Sequence, residues 1–567
     1  MGFFTTPSSA KKRKRTESSG QTGKSVSTSG KKKRVEDEEI SSEEEGEGRG
    51  RTIDDSDDVE EDEFADETAA DKRRRLALQY LENTKAEIEE AGFNAEDVDR
   101  DILAERLKES VAEDKGRIYR HLTDIFSFST ASHSHFGNDT RTLTSIAVCH
   151  PYVYTVSKDR HLTKWQTPDP ASPAKKPKQV LHVRCAARKT DKGYEGGHID
   201  EILTIAASQD GKFVATGGKD NRIVVWNPVT LSPLKIFKQH RSPVMGLVFR
   251  RNTNQMYSCS ADRTVKSWSL DELAYVETLF GHQDEVVGIT ALANERCVTV
   301  GARDRTARLW KIVDETQLVF RGSGESKKRK GSDGDYFTEG SMDCVTMIDE
   351  EHFVTGSDNG SISFWTINKK KPIFTVSVAH GKPDPLLPSQ YSAESDFSTS
   401  AFPAPPPQPR PITALAAVPY SDTFFSGSYD GYVRVWRISS DKKRVEPVGR
   451  LGVPHEPAHS LEVAVARERT ETAFLSKTIT ASSTPGQVNP PARGVVNGIS
   501  VFETGEKRDV RGGMVAGDYL YVAVALGKEM RLGRWLKVPG KNGAVLFKVL
   551  RKEVEKPKAI SSPPVHE

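Results

Sequence analysis

The sequence predicts an all-β, seven-bladed β-propeller, preceded by a disordered, charged N-terminal tail and a short helical segment. Three observations carry this reading. Trp226, Trp268 and Trp310 recur every 42 residues; Asp220, Asp262 and Asp304 stand six residues ahead of them; His198, His240 and His282 stand 22 residues ahead of each acid. A His early and an Asp–Trp pair late in a fixed period of this length mark a propeller blade, one small sheet per repeat. All seven tryptophans of the chain carry an Asp, Asn or Glu six positions ahead, and that count sets the number of blades.

One repeat explains the spacing. Ile202–Ala206, Phe213–Thr216, Ile223–Trp226 and Leu234–Phe237 are short runs rich in apolar and β-branched residues, punctuated by Gln209-Asp210-Gly211 and Lys219-Asp220-Asn221. Such runs, about 8–12 residues apart with turn residues between, read as antiparallel sheet. The Asp then falls in the tight turn before the third strand, the His in the loop entering the first, and the Trp at the end of the third. Folding brings imidazole to carboxylate, and a second-strand hydroxyl (Thr216, Ser258) comes within reach of the indole N–H. Each hydrogen bond contributes about 0.5–1.5 kcal/mol, and stranding a buried partner costs about 1–3 kcal/mol. A His beside a carboxylate is also the equipment of acid–base catalysis, but a copy in repeat after repeat is scaffold, because an enzyme needs one site.

Taken in order, residues 1–67 form the tail. Two basic clusters, Lys11-Lys12-Arg13-Lys14-Arg15 and Lys31-Lys32-Lys33-Arg34, suit nuclear import or contact with a polyanion. Residues 36–67 then hold 18 Asp and Glu against Arg49 and Arg51, a composition with too little apolar surface to order itself. Ser41, Ser42 and Ser56 lie among those acids and suit an acid-directed kinase. Residues 68–126 form the helical segment. Leu76, Tyr80 and Leu81, then Ile102, Leu103, Leu107 and Val111, recur at three- and four-residue steps, which predicts helices over 76–91 and 96–113. The basic run from Asp71 to Arg75 opposes the dipole at the start of the first helix; either the run serves a partner or the helix packs on the propeller side.

The propeller is expected over 127–552, with a disordered tail over 553–567. Blade one is marked by Asp159 and Trp165; blades two to four are the three regular repeats; blade five carries Asn359 and Trp365, blade six Asp430 and Trp436. Blade seven is expected from Val495–Phe502, Tyr519–Ala525, Met530–Trp535 and Ala544–Val549, with Glu529 six residues ahead of Trp535. Polar or Pro-rich insertions are expected over 166–180, 322–335, 380–410 and 440–494. Either Ile125–Phe128 or Ala544–Val549 closes the ring, removing the open sheet edges that invite aggregation.

Net charge is only +2, yet the charges are segregated. Five cysteines form no CxxC pair, and four of them (Cys149, Cys259, Cys297, Cys344) lie in apolar runs, as expected for reduced, buried thiols rather than disulfides or a metal site. No stretch reaches the ~20 apolar residues that span a membrane, and the N-terminus lacks a signal peptide's apolar segment. No GxxxxGK[ST], HExxH or GxSxG motif is present. The turns before the third strands share one face of the ring. Read around it, they carry Lys158, Arg160, Lys219, Arg222, Arg263, Arg303 and Arg305, then Lys528, Arg531 and Arg534, while blades five and six offer Asp358, Gly360, Tyr429 and Gly431. A basic arc of this kind favours a polyanion through charge and counterion release.

The repeats alone identify a WD40-repeat protein, and two regions narrow the resemblance. One is Arg73-Arg74-Arg75-Leu76-Ala77-Leu78-Gln79-Tyr80-Leu81-Glu82 with Ala104-Glu105-Arg106-Leu107-Lys108 and Gly116-Arg117-Ile118. The other runs from Val522-Ala523-Val524-Ala525 through Arg531-Leu532-Gly533-Arg534-Trp535. Both resemble the WD-repeat proteins of the U3 small nucleolar RNA particle, which act in ribosomal RNA processing. The likeness covers about residues 70–550, without most of the insertions. It implies a nuclear, nucleolar subunit that is not an enzyme and uses no cofactor, metal or small-molecule substrate. The implied partners are U3 small nucleolar RNA at its box B/C element, the kink-turn-binding protein seated there, and the small-subunit processome proteins. The resemblance carries the RNA role to Arg531 and Arg534 and to Lys158 and Arg160 beside them; Lys528 joins them from the basic arc. The chain departs from the pattern in its loops at 380–410 and 440–494 and in lacking a His in blades five to seven. The competing expectation is a nuclear propeller that binds peptides, as a chromatin or ubiquitin-ligase adaptor.

Overall fold

Alternating apolar residues set the strands, and the turn residues between them set the sheets. The computed structural model describes residues 119–137, 141–168, 176–185, 196–322, 340–383, 407–453, 490–504, 507–508, 514–515, 517–533 and 537–552, together with Arg74, Arg75 and Leu78, which are helical. The charged tail, its import clusters and serines, the remainder of the two expected helices and the C-terminal tail lie outside the described residues.

Seven four-stranded antiparallel sheets are present. Blade one is β2 (Leu143–Cys149), β3 (Tyr152–Ser157), β4 (His161–Gln166) and β5 (Lys178–Arg184). Blade two is β6 to β9 (Ile202–Ala207, Val214–Gly218, Ile223–Trp226, Pro233–Phe237). Blade three is β10 to β13 (Val244–Phe249, Gln255–Ser260, Thr264–Ser269, Ala274–Phe280). Blade four is β14 to β17 (Val286–Ala291, Arg296–Gly301, Thr306–Lys311, Thr316–Arg321). Blade five is β18 to β21 (Met342–Met347, His352–Ser357, Ile362–Thr366, Phe374–Val376). Blade six is β22 to β25 (Ala414–Ala417, Thr423–Gly427, Val433–Ile438, Val445–Arg450). The first strands stand side by side around the ring axis. The outer strand β25 falls inside the expected insertion 440–494, and β5 begins within the expected insertion 166–180 and runs past its end. Their mostly exposed patterns, Lys178–Arg184 and Val445–Arg450, leave no apolar run for sequence to show.

Blade seven departs from expectation. It is built from β26 (Val495–Thr504), β29 (Tyr519–Gly527), β30 (Gly543–Arg551) and, outermost, β1 (Phe126–Phe136) from the start of the chain; a small hairpin, β27 (Lys507–Arg508) and β28 (Met514–Val515), interrupts it. Met530–Trp535 is therefore not the third strand. Register places Phe547 opposite Val522, as Trp268 lies opposite Met256 in blade three. Phe547 thus fills the slot that Trp occupies in the other six blades, and Val524 replaces the hydroxyl that meets the indole. The two changes belong together: a phenyl ring has no N–H, so the partner oxygen would be a buried liability. Trp535 itself lies outside the described residues.

Ring closure uses the first of the two options, with the strand starting at Phe126 and running on to Phe136. Before β1, residues 119–125 run along blade six. Arg120 donates its N–H to the Tyr420 carbonyl at 2.9 Å. The buried Asp422 carboxylate accepts the Leu122 N–H at 2.8 Å at the head of a single helical turn, Leu122–Ile125. The Arg120 guanidinium meets Glu503 of blade seven at 2.8 Å with both side chains nearly sealed from water. Apolar clusters bind each blade to the next. Val156 and Leu162 of blade one, for example, pack with Ile205 and Trp226 of blade two. Of the five thiols, Cys185, Cys259, Cys297 and Cys344 are buried and Cys149 is partly exposed; all are unpaired.

Candidate nucleic-acid interface

The repeated histidines belong to buried relays. In blade two the Trp226 indole N–H donates to Thr216 Oγ1 at 2.7 Å, Thr216 Oγ1 lies 2.8 Å from His198 Nε2, and His198 Nδ1 lies 3.0 Å from Asp220. Blade three repeats this with Trp268, Ser258, His240 and Asp262, and blade four with Trp310, Thr299, His282 and Asp304. Indole can only donate and carboxylate only accept, so a neutral imidazole protonated at Nδ1, with the hydroxyl donating to Nε2, satisfies every group. Burial holds His240 below its ordinary value despite the Asp262 carboxylate. For Asp220, burial is the largest influence and raises the carboxyl, but the His198 ring, by hydrogen bond and electrostatics, together with the N–H groups of Ile199 and Arg222 outweighs it, and the group sits below the usual range.

Blade six completes a fourth relay, contrary to the expectation of no His there. His380 Nδ1 lies 2.8 Å from Asp430, His380 Nε2 lies 2.8 Å from Ser426 Oγ, and Trp436 donates to the same Ser426 at 2.8 Å. His380 stands 50 residues ahead of its acid, because the 380–410 insertion opens between them. The sequence signal was a His directly after an outer strand, hidden by the stretched spacing. Arg410 pins the far end of that insertion by donating to the carbonyls of His380 and Lys382. Blades one and five keep the Trp–hydroxyl bond alone, Trp165 to Thr155 and Trp365 to Thr355 at 2.9 Å. Asn359 holds the blade-five turn as an Asp would, accepting the Ser361 N–H at 3.0 Å. Asp159 pairs with Arg141 at 3.2 Å. The four histidine side chains are at most 1% exposed, so no substrate reaches them.

The turns before the third strands are geometrically equivalent. Arg160, Asn221, Arg263, Arg305, Gly360 and Gly431 occupy one turn position with φ of 63°, 64°, 69°, 50°, 72° and 84°. A left-handed non-glycine residue costs roughly 1–2 kcal/mol, so the arginines at three of these positions are tolerated against backbone preference. Lys219, Arg263, Arg303 and Arg305 are exposed and Arg222 is half-buried. Arg160 is half-buried and donates to the Ile199 carbonyl at 3.0 Å.

The seventh equivalent position is replaced by an arm. Between β29 and β30 the chain leaves the blade as a hairpin-like excursion, with Glu529 bridged to Lys537 and the Val538 N–H donating to the Lys528 carbonyl at 2.9 Å. Two basic residues expected at the surface lock it down. Lys158, 4% exposed, donates its ammonium to the carbonyls of Met530 at 2.8 Å and Gly533 at 3.4 Å, and lies 3.8 Å from Glu529. Glu529 is thus a partner of Lys158 and not a blade-turn acid. Arg531 turns into the ring and donates to the carbonyls of Met245 in blade three at 3.0 Å and Val287 in blade four at 2.8 Å. Met245 and Val287 are the extra residues of β-bulges in β10 and β14, and a bulge leaves its residue outside the ladder. Asn497, the bulge residue of β26, accepts the Arg531 N–H at 2.9 Å and donates to Leu143 and Glu529 carbonyls. Asp343, the bulge residue of β18, is raised to about 6, chiefly by burial, with Arg531 pulling the other way. Lys528 stays half-buried at the base of the arm, and Leu532 is exposed at its turn. Arg534 lies outside the described residues. The structure therefore brings Lys158, Lys528 and Arg531 to one arm and leaves Arg160 on the neighbouring turn.

Comparison with known proteins fits this architecture. The model of the WD domain, G-beta repeat, matches residues 192–227, 231–269, 274–311 and 405–437. Ribosomal RNA-processing protein 9 of Saccharomyces cerevisiae is 37% identical over 579 residues, covering 88% of this chain and 92% of that protein. U3 small nucleolar RNA-interacting protein 2 of Homo sapiens is 30% identical over 384 residues, covering 67% of this chain and 72% of that protein. The solved structure of U3-55K superposes with a TM-score of 0.52 at 29% identity, covering 73% of this chain and 98% of that one.

Proposed function

The chain belongs to the WD-repeat family of U3 snoRNP, ribosomal-RNA-processing proteins, and from that premise we propose that it binds the box B/C element of U3 small nucleolar RNA together with the kink-turn-binding protein seated there. In this reading it is a non-catalytic nucleolar subunit that joins the small-subunit processome for early pre-ribosomal RNA cleavages. The observation that carries the reading is the anchored arm over blades seven and one. Its backbone is fixed at both sides of the turn by Lys158 and Arg531, and Lys528 and Arg160 flank it. A pre-organised basic element loses less entropy on binding than a mobile one, and a composite RNA–protein surface rewards such rigidity.

The division of labour differs from the one expected of these residues. Lys158 and Arg531 spend their charge on backbone carbonyls and act as positioning residues, so phosphate contact falls chiefly to Lys528 and Arg534, with Arg160, itself bonded to the Ile199 carbonyl, on the neighbouring turn. The test is binding of the full chain to box B/C RNA, with and without the kink-turn protein, across a salt series. Affinity should fall with salt and tighten when the kink-turn protein is present. Equal affinity for a scrambled RNA, unmoved by that protein, would refute the reading. Retrieval of chromatin or ligase subunits unaffected by RNase would point instead to the peptide adaptor.

A further inference from the structure

On the same face as the arm but across the ring, blade three carries a cleft of about 550 Å³, bordered by Arg241, Arg263, Lys266 and Phe280. Its volume falls in the range of small-ligand sites, about 300–1,000 Å³. Phe280 closes the outer strand β13, paired with Thr264, and is 71% exposed. Burying such a ring would be favourable, and the fold leaves that unused. The same place after blades two and four holds Lys238 and Arg321, so an apolar ring there is peculiar to blade three.

The charge balance of the cleft is positive. Arg241 and Arg263 are exposed. Asp262, the nearest acid lining the cleft, is already committed: one oxygen accepts from His240 and the Arg241 N–H, the other from the Thr264 N–H and hydroxyl. Lys266 forms the floor, with its ammonium 2.6 Å from Thr278 Oγ1 and over the Tyr275 ring. Two guanidinium groups beside an exposed ring match a phosphate next to an unpaired base, since aromatic side chains stack on bases only where these are splayed out of a helix.

We propose that this cleft is a second RNA subsite, in which Arg241 and Arg263 grip one backbone phosphate of a single-stranded segment while Phe280 stacks on the adjoining base. The inference rests on the RNA-binding reading above and adds a contact remote from the arm. Stacking is indifferent to base identity, so the subsite holds a strand without choosing its sequence.

The probe is a fluorescein-labelled, single-stranded uridine decamer, titrated by anisotropy against the full chain over a salt series, with box B/C RNA plus the kink-turn protein as a parallel arm. Phe280→Ala should weaken decamer binding about 5- to 100-fold with the salt slope unchanged, and Phe280→Trp should restore it. Arg241→Ala with Arg263→Ala should lower the slope of log affinity against log salt by about 0.7, the share of one single-strand phosphate. All three side chains border open solvent, so folding is not at issue. If box B/C binding is intact while these variants bind the decamer like the unaltered chain, the subsite is wrong and the family reading stands. If neither RNA binds, the RNA reading itself falls. Capture of a phosphoserine peptide in place of the decamer, lost in the same variants, overturns the subsite in favour of a protein ligand.

Discussion

A buried imidazole with both nitrogens occupied is a strut, and His380 shows how far such a strut can be separated from its acid along the chain. His380→Ala should destabilise the ring by about 1–3 kcal/mol, the cost of leaving Asp430 and Ser426 short of a partner, and denaturant unfolding at neutral pH measures it. An unchanged midpoint would mean that blade six does not need its relay. Lys158 and Arg531 make the complementary case among the cations. If they position the arm, Lys158→Met and Arg531→Met should weaken box B/C binding severalfold while leaving the salt slope unchanged, whereas Lys528→Ala should lower that slope by about 0.7–0.9 for one phosphate. A fall in slope for Arg531→Met would restore it to the list of phosphate contacts.

At the scale of the element, strands buried on both faces were readable because apolar and β-branched residues run through them, as in Ile223–Trp226. Outer strands such as β5 and β25 were not, since a half-exposed edge needs no apolar pattern. Blade seven was misread for a different reason. Glu529 and Trp535 reproduce the blade spacing, but the segment that carries them is the arm, and the true third strand hides its identity by using Phe547 with Val524. Phe547→Ala should cost about 3–5 kcal/mol, the range for emptying a buried aromatic site, read by calorimetry. Chain closure is tested by length. A chain starting at residue 119 should unfold cooperatively like the full one, and a chain starting at residue 138, lacking β1, should lose that cooperativity. Matching transitions for the two would show that β1 is dispensable.

Across the whole molecule, the seven-bladed propeller was legible from repeat spacing, although the seventh mark, Glu529, belongs to the arm and not to a blade turn, and the strand that closes the ring was left between two candidates. The site was legible only as a neighbourhood, because sequence shows a cation but not whether its charge points to water or to a carbonyl. Lys158 and Arg531 differ from Arg263 in that respect alone. The relays also act together on pH. His240 and His380 are held below their ordinary value by burial, which outweighs their carboxylate partners. For Asp220, Asp304 and Asp430 burial is the largest influence and raises the carboxyl, but the histidines and the neighbouring backbone N–H donors together outweigh it, so all three lie below their ordinary value. Both kinds of group bind fewer protons folded than unfolded near their transitions, so stability rises with pH. The melting temperature should be flat above about pH 7, decline as pH falls through about 6.5, and decline again below about 4, where the unfolded imidazoles and carboxylates take up protons. Calorimetry between about pH 3 and 8 checks this, and a flat profile down to about pH 5.5 would show that the imidazoles titrate normally.

The pairing of Phe126 with Arg551 has a consequence for biosynthesis. Translation delivers β1 ahead of the six other sheets and its neighbour β30 only after them, so β1 waits without a neighbour throughout. Six sheets can form in turn as they emerge, but the ring stays ajar, with sticky margins at either end, until β30 is made. Long-separated pairings of this kind are slow to form and prone to stray association. Premature stop codons shortly before Gly543 should therefore be far more damaging than their position near the end suggests, yielding a chain that holdase chaperones retain and proteases clear.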